Sequence, residues 1–80
     1  MAKAVANRRR LAILQYLKKH REAPVGELAE AIRLSFKATS KHLSILSAAD
    51  IVEKEQRSLM VHYSLAKRQH PVIRQTLAML

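Results

Sequence analysis

The sequence predicts a mainly α-helical protein with a small β-hairpin, an α+β fold, in a single domain of residues 1–80. Apolar residues recur at helical spacing over residues 6–20, 26–47 and 71–80. Residues 51–65 change instead to a partly alternating pattern rich in strand-forming side chains. Eighty residues suit one domain, and no repeat or linker divides them.

The first helix is predicted over residues 6–20. Ile13, Leu14 and Leu17 form the centre of its apolar face, and Leu11 and Tyr16 widen that face on both sides. A small monomer needs an apolar stripe of only about 100°. The apolar face of this helix is wider than that, so its extra part either covers a partner subunit or leaves Tyr16 exposed.

Residues 26–46 predict two short amphipathic helices separated by a tight break, which is the pattern of a helix-turn-helix. The first of these helices is expected to begin with Gly26 as its N-cap and with Glu27 in its first turn. Its inward face consists of Leu28, Ala29 and Ile32.

The break and the second helix follow from the same pattern. Ser35 is a preferred N-cap, and Leu34 supplies an apolar plug between the helices. The second helix is predicted over residues 36–47. Its inward side chains are Phe36, Thr39, Leu43 and Leu46, and its outward ones are Lys37, Ser40, Lys41 and Ser44.

Charge indicates a polyanionic partner. Fifteen Lys and Arg residues against six Asp and Glu residues give a formal charge of +9. Residues 31–49 contain Arg33, Lys37 and Lys41 without an acid, and such a basic segment favours nucleic acid. Lys37 near a helix N-terminus opposes the helix dipole, so it is either a DNA contact or a plain solvated lysine. The basic N-terminal segment lacks the apolar face of a membrane-surface helix.

A hairpin is predicted from strands at residues 51–55 and 59–65. Gln56, Arg57 and Ser58 join them with Arg57 at the tip, and they lack the sequence of a two-residue turn. The tail, residues 71–80, forms a last helix with Pro71 in its first turn. An isolated helix of this length is marginal in water, so it docks on the first helix or on a second subunit.

Several other classes of protein are disfavoured. Without cysteine there is neither a disulfide framework nor a thiolate metal site. The four histidines lack ligand spacing, and His42 is expected at the edge of the outward face or half-buried against backbone. No arrangement of nucleophile and base is visible, so we expect no enzyme, no metal and no cofactor. No apolar run could span a membrane or form a signal peptide, so a cytoplasmic location is expected.

Residues 10–17, 27–29, 34–35 and 40–43, together with Leu46 and Tyr63, resemble the ArsR family of bacterial and archaeal repressors. The resemblance covers roughly residues 10–65 and implies a winged helix-turn-helix fold with a two-stranded wing and a C-terminal dimerisation helix. It also implies a homodimer with a recognition helix in successive major grooves. In that family the positions of Phe36, Lys37, Ser40 and Lys41 meet DNA, and a wing arginine meets the backbone or minor groove.

Two features depart from the family pattern. The glycine usual in the wing turn is absent near Ser58. The family's metal sensors carry a cysteine pair, or His and acid ligands on the last helix. This chain has no cysteine, no carboxylate after Glu55, and only His70 at the edge of that helix, which argues against metal sensing.

The leading hypothesis is a dimeric, sequence-specific regulator of double-stranded DNA, most simply a repressor. Base contacts are assigned to Phe36, Lys37, Ser40 and Lys41, and phosphate contacts to Arg33, Ser35, Ser44 and Arg57. The dimer interface is assigned to Ile13, Tyr16, Leu17, Val72, Ile73, Leu77 and Leu80. The alternative is a winged-helix interaction module for an acidic protein partner. RNA is disfavoured because only two Tyr and one Phe could stack on bases.

Overall fold

The structure, a computed structural model, describes residues 7–67 and 71–80, excluding the side chains of Val72, Ile73 and Thr76. Within these described residues, four helices and three strands follow one another along the chain. They are α1 (Arg8–His20), β1 (Glu22–Pro24), α2 (Val25–Ile32), α3 (Phe36–Ala48), β2 (Val52–Arg57), β3 (Met60–Leu65) and α4 (Pro71–Ala78). The strands form one antiparallel sheet in the order β1-β3-β2. The predicted α+β class with a hairpin is confirmed.

Helix α1 begins directly after Asn7, whose side chain caps the first backbone N–H groups of the helix. The Asn7 side-chain oxygen accepts hydrogen bonds from the backbone N–H groups of Arg9 at 2.9 Å and of Arg10 at 3.3 Å. The predicted start at residue 6 lies outside the described residues. The N-cap therefore places the first helical residue at Arg8.

The break between α2 and α3 is confirmed at residues 33–35. The Ser35 hydroxyl accepts a hydrogen bond from the Ala38 amide at 3.1 Å, which is the expected N-cap. The assignment of Gly26 as the N-cap of α2 is wrong. Extended Pro24 occupies the cap position, and Gly26 lies inside the first turn. Helix α3 continues one residue beyond its predicted end at 47.

Both helices of the motif end in a left-handed residue that is not glycine. Arg33 has φ 55° and Asp50 has φ 58°. The Leu34 amide donates to the Ala29 carbonyl at 3.0 Å, and the Ile51 amide to the Leu46 carbonyl at 2.9 Å. These bonds form Schellman motifs, which turn the chain sharply after each helix.

The sheet has an unpredicted third strand. Three-residue β1 pairs with β3 in the register Ala23 to Tyr63. In the wing, Arg57 pairs with Met60, so the turn has only two residues, Ser58 and Leu59. The predicted position of Arg57 at the tip is therefore wrong. Ser58 takes φ 57° without the expected glycine.

The core fills the space between the helices and the base of the sheet. Its fully buried large side chains are Ile13, Leu14, Leu17, Leu28, Leu43, Leu46, Ile51 and Thr39. The Thr39 hydroxyl donates to the Ser35 carbonyl at 2.8 Å, so its burial leaves no unpaired polar group. Phe36 was expected inward but is 62% exposed, because it lies at the first turn of α3 beyond the edge of this core.

Helix α4 docks on the first helix of its own chain. Lys18 Nζ donates to the Leu77 carbonyl at 2.6 Å, and the Leu77 side chain is buried. Leu80 packs against the core cluster. Of the two predicted docking partners of this helix, the first helix and a second subunit, the structure shows the contact with the first helix. Within residues 7–67 and 71–80, no helix is both long and apolar enough to cross a bilayer.

The predicted dimer face remains a prediction, and the fold of the single chain already covers part of it. Ile13 and Leu17 are fully buried in the chain's own core. Tyr16 turns towards α2, where its hydroxyl donates to the Glu27 carboxylate. Leu77 is covered by its own chain, and the side chains of Val72 and Ile73 lie outside the described part.

Left-handed Asp50 gives a stability prediction. Asp50→Gly is expected to raise the free energy of unfolding by about 0.5–1 kcal/mol, because glycine adopts φ 58° without the Cβ clash. Urea unfolding measures the change. As a control, Ala31→Gly replaces an exposed residue inside α2 by glycine. It should lower the free energy of unfolding by about 1 kcal/mol. Destabilisation by both substitutions would contradict the claimed strain.

Candidate nucleic-acid interface

Helix α3 presents a polar stripe to solvent opposite its buried face. This outer stripe consists of Lys37, Ser40, Lys41 and Ser44, of which Ser40 is half-buried and the others are exposed. Residues three, four and seven apart share one helix face, so the stripe extends about 10 Å along the axis. Burial of Thr39, Leu43 and Leu46 holds this face outward.

The stripe carries positive charge that no acid neutralises. Helix α3 contains no Asp or Glu, and in the described part of the chain neither Lys37 nor Lys41 forms an ion pair. Arg33 is exposed at the end of α2, just before this helix. An unneutralised basic surface of this kind attracts a polyanion.

The N-terminus of α3 adds polar and apolar groups. Ser35 is exposed, and its hydroxyl already accepts the Ala38 amide but can still donate its own proton. Phe36 stands out beside it, so this large aromatic ring is available for contact. The structure thus brings together seven predicted contact residues, namely Arg33, Ser35, Phe36, Lys37, Ser40, Lys41 and Ser44.

The eighth predicted contact residue, Arg57, forms ion pairs with two acidic side chains of the sheet. Its Nη2 donates to Glu22 Oε2 at 2.8 Å, and its Nε donates to Glu55 Oε1 at 2.9 Å. The guanidinium lowers the pKa of the Glu55 carboxyl. Two carboxylates therefore already neutralise Arg57. This pairing was missed because β1, which carries Glu22 to the wing, was not predicted.

His42 joins α3 to α1. Arg10 Nε donates a hydrogen bond to His42 Nδ1 at 3.2 Å, so this nitrogen must be unprotonated. Burial, followed by the charges of Arg10, Arg9 and Lys41, lowers the pKa of His42. The expected half-buried position is correct, but the partner is a side chain 32 residues away rather than backbone. Local spacing gives no signal for such a contact.

No metal centre is apparent in the part of the chain that the structure describes. Nowhere within it do three or more His, Cys, Asp or Glu side chains converge in a way that could hold an ion.

The family model described as "Bacterial regulatory protein, arsR family" matches residues 7–54, which include the outer stripe. The nodulation protein NolR of Rhizobium meliloti is 43% identical over 61 residues, or 76% of this chain and 49% of NolR. The transcriptional activator HlyU of Vibrio cholerae is 39% identical over 66 residues, or 82% of this chain and 60% of HlyU. The chain thus spans about half the length of NolR and somewhat more of HlyU.

Solved structures share the architecture. Reduced HlyU from Vibrio cholerae N16961 superposes with a TM-score of 0.84 at 34% identity, covering 99% of this chain and 79% of the other. The homodimeric winged helix-turn-helix DNA-binding domain of Mb0332 from Mycobacterium bovis has a TM-score of 0.83 at 28% identity. That match covers 98% of this chain and 68% of the other.

The contact between His42 and Arg10 predicts a pH dependence of stability. Since the folded state lowers the pKa of His42, the unfolded chain binds a proton more readily. His42 should thus contribute its full stability above its ordinary pKa of 6.5 and lose it as pH falls from that value through the lower pKa of the folded state.

His42→Asn is the matched variant, because its amide oxygen can accept from Arg10 but does not titrate. Urea unfolding at about pH 8 and about pH 5.5 should show a smaller acid loss of stability in the variant than in the parent. An equal or larger loss in the variant would contradict the role assigned to His42.

Proposed function

We propose, since this chain belongs to the arsR family of bacterial regulatory proteins, that it is a transcriptional regulator acting as a homodimer on double-stranded DNA. The observation that carries the proposal is the exposed, acid-free outer stripe of α3. A helix with short polar and cationic side chains on one face can enter a major groove about 12 Å wide. HlyU and Mb0332 support it, as an activator and a DNA-binding domain respectively.

In this proposal the outer stripe reads bases. Lys37 and Lys41 can donate to the acceptor atoms of guanine, and Ser40 can donate or accept. Phe36 can contact a thymine methyl group, which gives its exposed ring a function. Lys37 lies in the first turn of α3, the part of a recognition helix that meets base edges.

Phosphate contacts would come from two residues before the stripe and from its last serine. Arg33, Ser35 and Ser44 are all exposed and can hydrogen-bond to phosphate oxygens. Arg57 would have to leave Glu22 and Glu55 to do so. We therefore assign Arg57 to positioning the wing against β1 instead of to holding a phosphate.

The homodimer would form through the solvent side of α4. Met79 is 84% exposed beside the half-buried Leu80, so apolar surface remains after the helix has docked on α1. Mb0332 is described as homodimeric, which supports a homodimer but does not specify its interface. Repression is the mode of action we propose, because occupying an operator requires no surface beyond the DNA contacts.

Substitution of Lys37 tests base reading. On a site selected from random duplexes, Lys37→Gln should weaken binding by about 1–3 kcal/mol and relax the preference at one base position. Fluorescence anisotropy against the selected and a random duplex measures both effects. Lys67→Gln removes the same charge beyond β3, at the end of the hairpin opposite the wing tip, and should barely change the sequence preference.

Two results would count against this assignment. Equal losses by Lys37→Gln on the selected and the random duplex would reduce Lys37 to a phosphate contact. No binding of the parent chain to either duplex at low salt would remove the DNA proposal and favour an acidic protein partner.

Dimerisation has its own test. Sedimentation should give a mass of twice 9.1 kDa, and the selected site should be two-fold symmetric with half-sites roughly 34–36 Å apart. Met79→Glu should weaken the dimer by about tenfold or more, because a carboxylate would be buried at the interface. Met60→Glu, at the exposed wing, is the control and should leave the mass unchanged. A monomer at high concentration would contradict the proposal.

A further inference from the structure

We propose that the groove between α1 and the helix-turn-helix binds a small, elongated organic anion. The groove has a volume of about 900 Å³, near the upper end of the range for small-molecule sites. Among the described residues that line it there is no carboxylate. The site is separate from the outer stripe, and its existence does not rest on the proposed function.

Cations occupy both ends of the groove. Arg8 and Arg9 line one end, and Lys19 lines the other. Ten residues of α1 separate Arg9 from Lys19, which corresponds to about 15 Å along the helix. In the part of the chain that the structure describes, no acid pairs with either of these two side chains. A ligand with an anionic group at each end would satisfy both cations.

The middle of the groove contains two stacked rings and two apolar side chains. The Tyr16 and His20 rings stack with centroids 4.2 Å apart at an angle of 30°. The hydrogen bond from the Tyr16 hydroxyl to Glu27 holds its ring in place. Ala12 and Ile32 complete the lining here. Such a surface suits a planar organic body, whereas inorganic phosphate would leave the apolar middle uncovered.

The groove stays open when a second copy binds. Lys18, which contacts α4, lies two residues from both Tyr16 and His20. Two residues rotate the chain by about 200°, so α4 and the two stacked rings occupy nearly opposite sides of α1. A dimer formed through α4 would therefore leave the groove accessible to a small molecule.

The occupant would also contact α3. His42 lines the groove while it accepts a hydrogen bond from Arg10. A molecule bound there meets both α1 and the helix to which we assign DNA reading. An effect of the ligand on DNA binding rests on the proposed function, whereas ligand binding itself is measurable without DNA.

The probe is bis-ANS, a fluorescent disulfonate with flat aromatic rings, titrated into the full chain. The double substitution Arg9→Gln with Lys19→Gln should raise its Kd by about tenfold or more. Lys54→Gln with Lys67→Gln removes the same charge from exposed positions outside the groove and should change the Kd by less than about twofold. Circular dichroism confirms that both variants are folded.

Binding should also be local to the groove. In NMR spectra the probe should shift the ring resonances of Tyr16 and His20 more than those of Tyr63. Leu59→Ser, which removes the most exposed apolar side chain of the wing, should leave the titration unchanged. These shifts distinguish a site on α1 from general attraction to a basic protein.

Several results would overturn the inference. Equal weakening by the two charge-removing pairs would mean non-specific attraction, and sensitivity to Leu59→Ser would place the probe at the wing. If the Arg9 and Lys19 pair weakened random duplex binding as much as Lys37→Gln but left the bis-ANS titration unchanged, the groove would carry DNA phosphates instead. If the parent chain did not bind DNA but bound bis-ANS as expected, the proposed function would fail and the inferred ligand site would be supported.

Discussion

The packing of α3 against the core determines what the molecule shows to solvent. Leu43 and Leu46 are fully buried, and Thr39 is buried with its hydroxyl satisfied. Turning this helix by two residues, about 200°, would move Leu43 and Leu46 towards water and bring Lys37 and Lys41 towards the core. Burying an unpaired charge is far costlier than leaving it hydrated. Hydrophobic packing therefore fixes the orientation of Lys37 and Lys41, although neither takes part in it.

Helix α1 connects this packing to the rest of the chain through polar contacts on different faces. Lys18 binds the carbonyl of Leu77 in α4, and Tyr16 binds Glu27 in α2. Arg10 reaches His42 in α3. Each contact is modest by itself, since partly exposed hydrogen bonds add little net stability. Together they connect α1 to each of the other three described helices.

Periodicity in the sequence predicted the structural features that are determined by residues close together in the chain. The buried face of α3, the Ser35 cap and the two wing strands follow from spacing and local capping preferences. It could not reveal the pairing of Glu22 with Arg57, because that contact spans 35 residues and requires strand β1. Glycine was misleading as well. Gly26 lies within a helix where an added Cβ would meet nothing within 4 Å, while Asp50 adopts the backbone conformation usual for glycine.

The distribution of charge separates the parts of the proposed DNA contact. In β2 the two negative charges of Glu53 and Glu55 are balanced by the two positive charges of Lys54 and Arg57, so this strand adds no net charge to the wing. Helix α3 and the preceding Arg33 carry cations without acids. In the proposed contact, electrostatic attraction to the duplex would therefore act on α3 rather than on the wing. In such an arrangement the same helix would supply both affinity and sequence preference, while Arg57 binds Glu22 and holds the wing against β1.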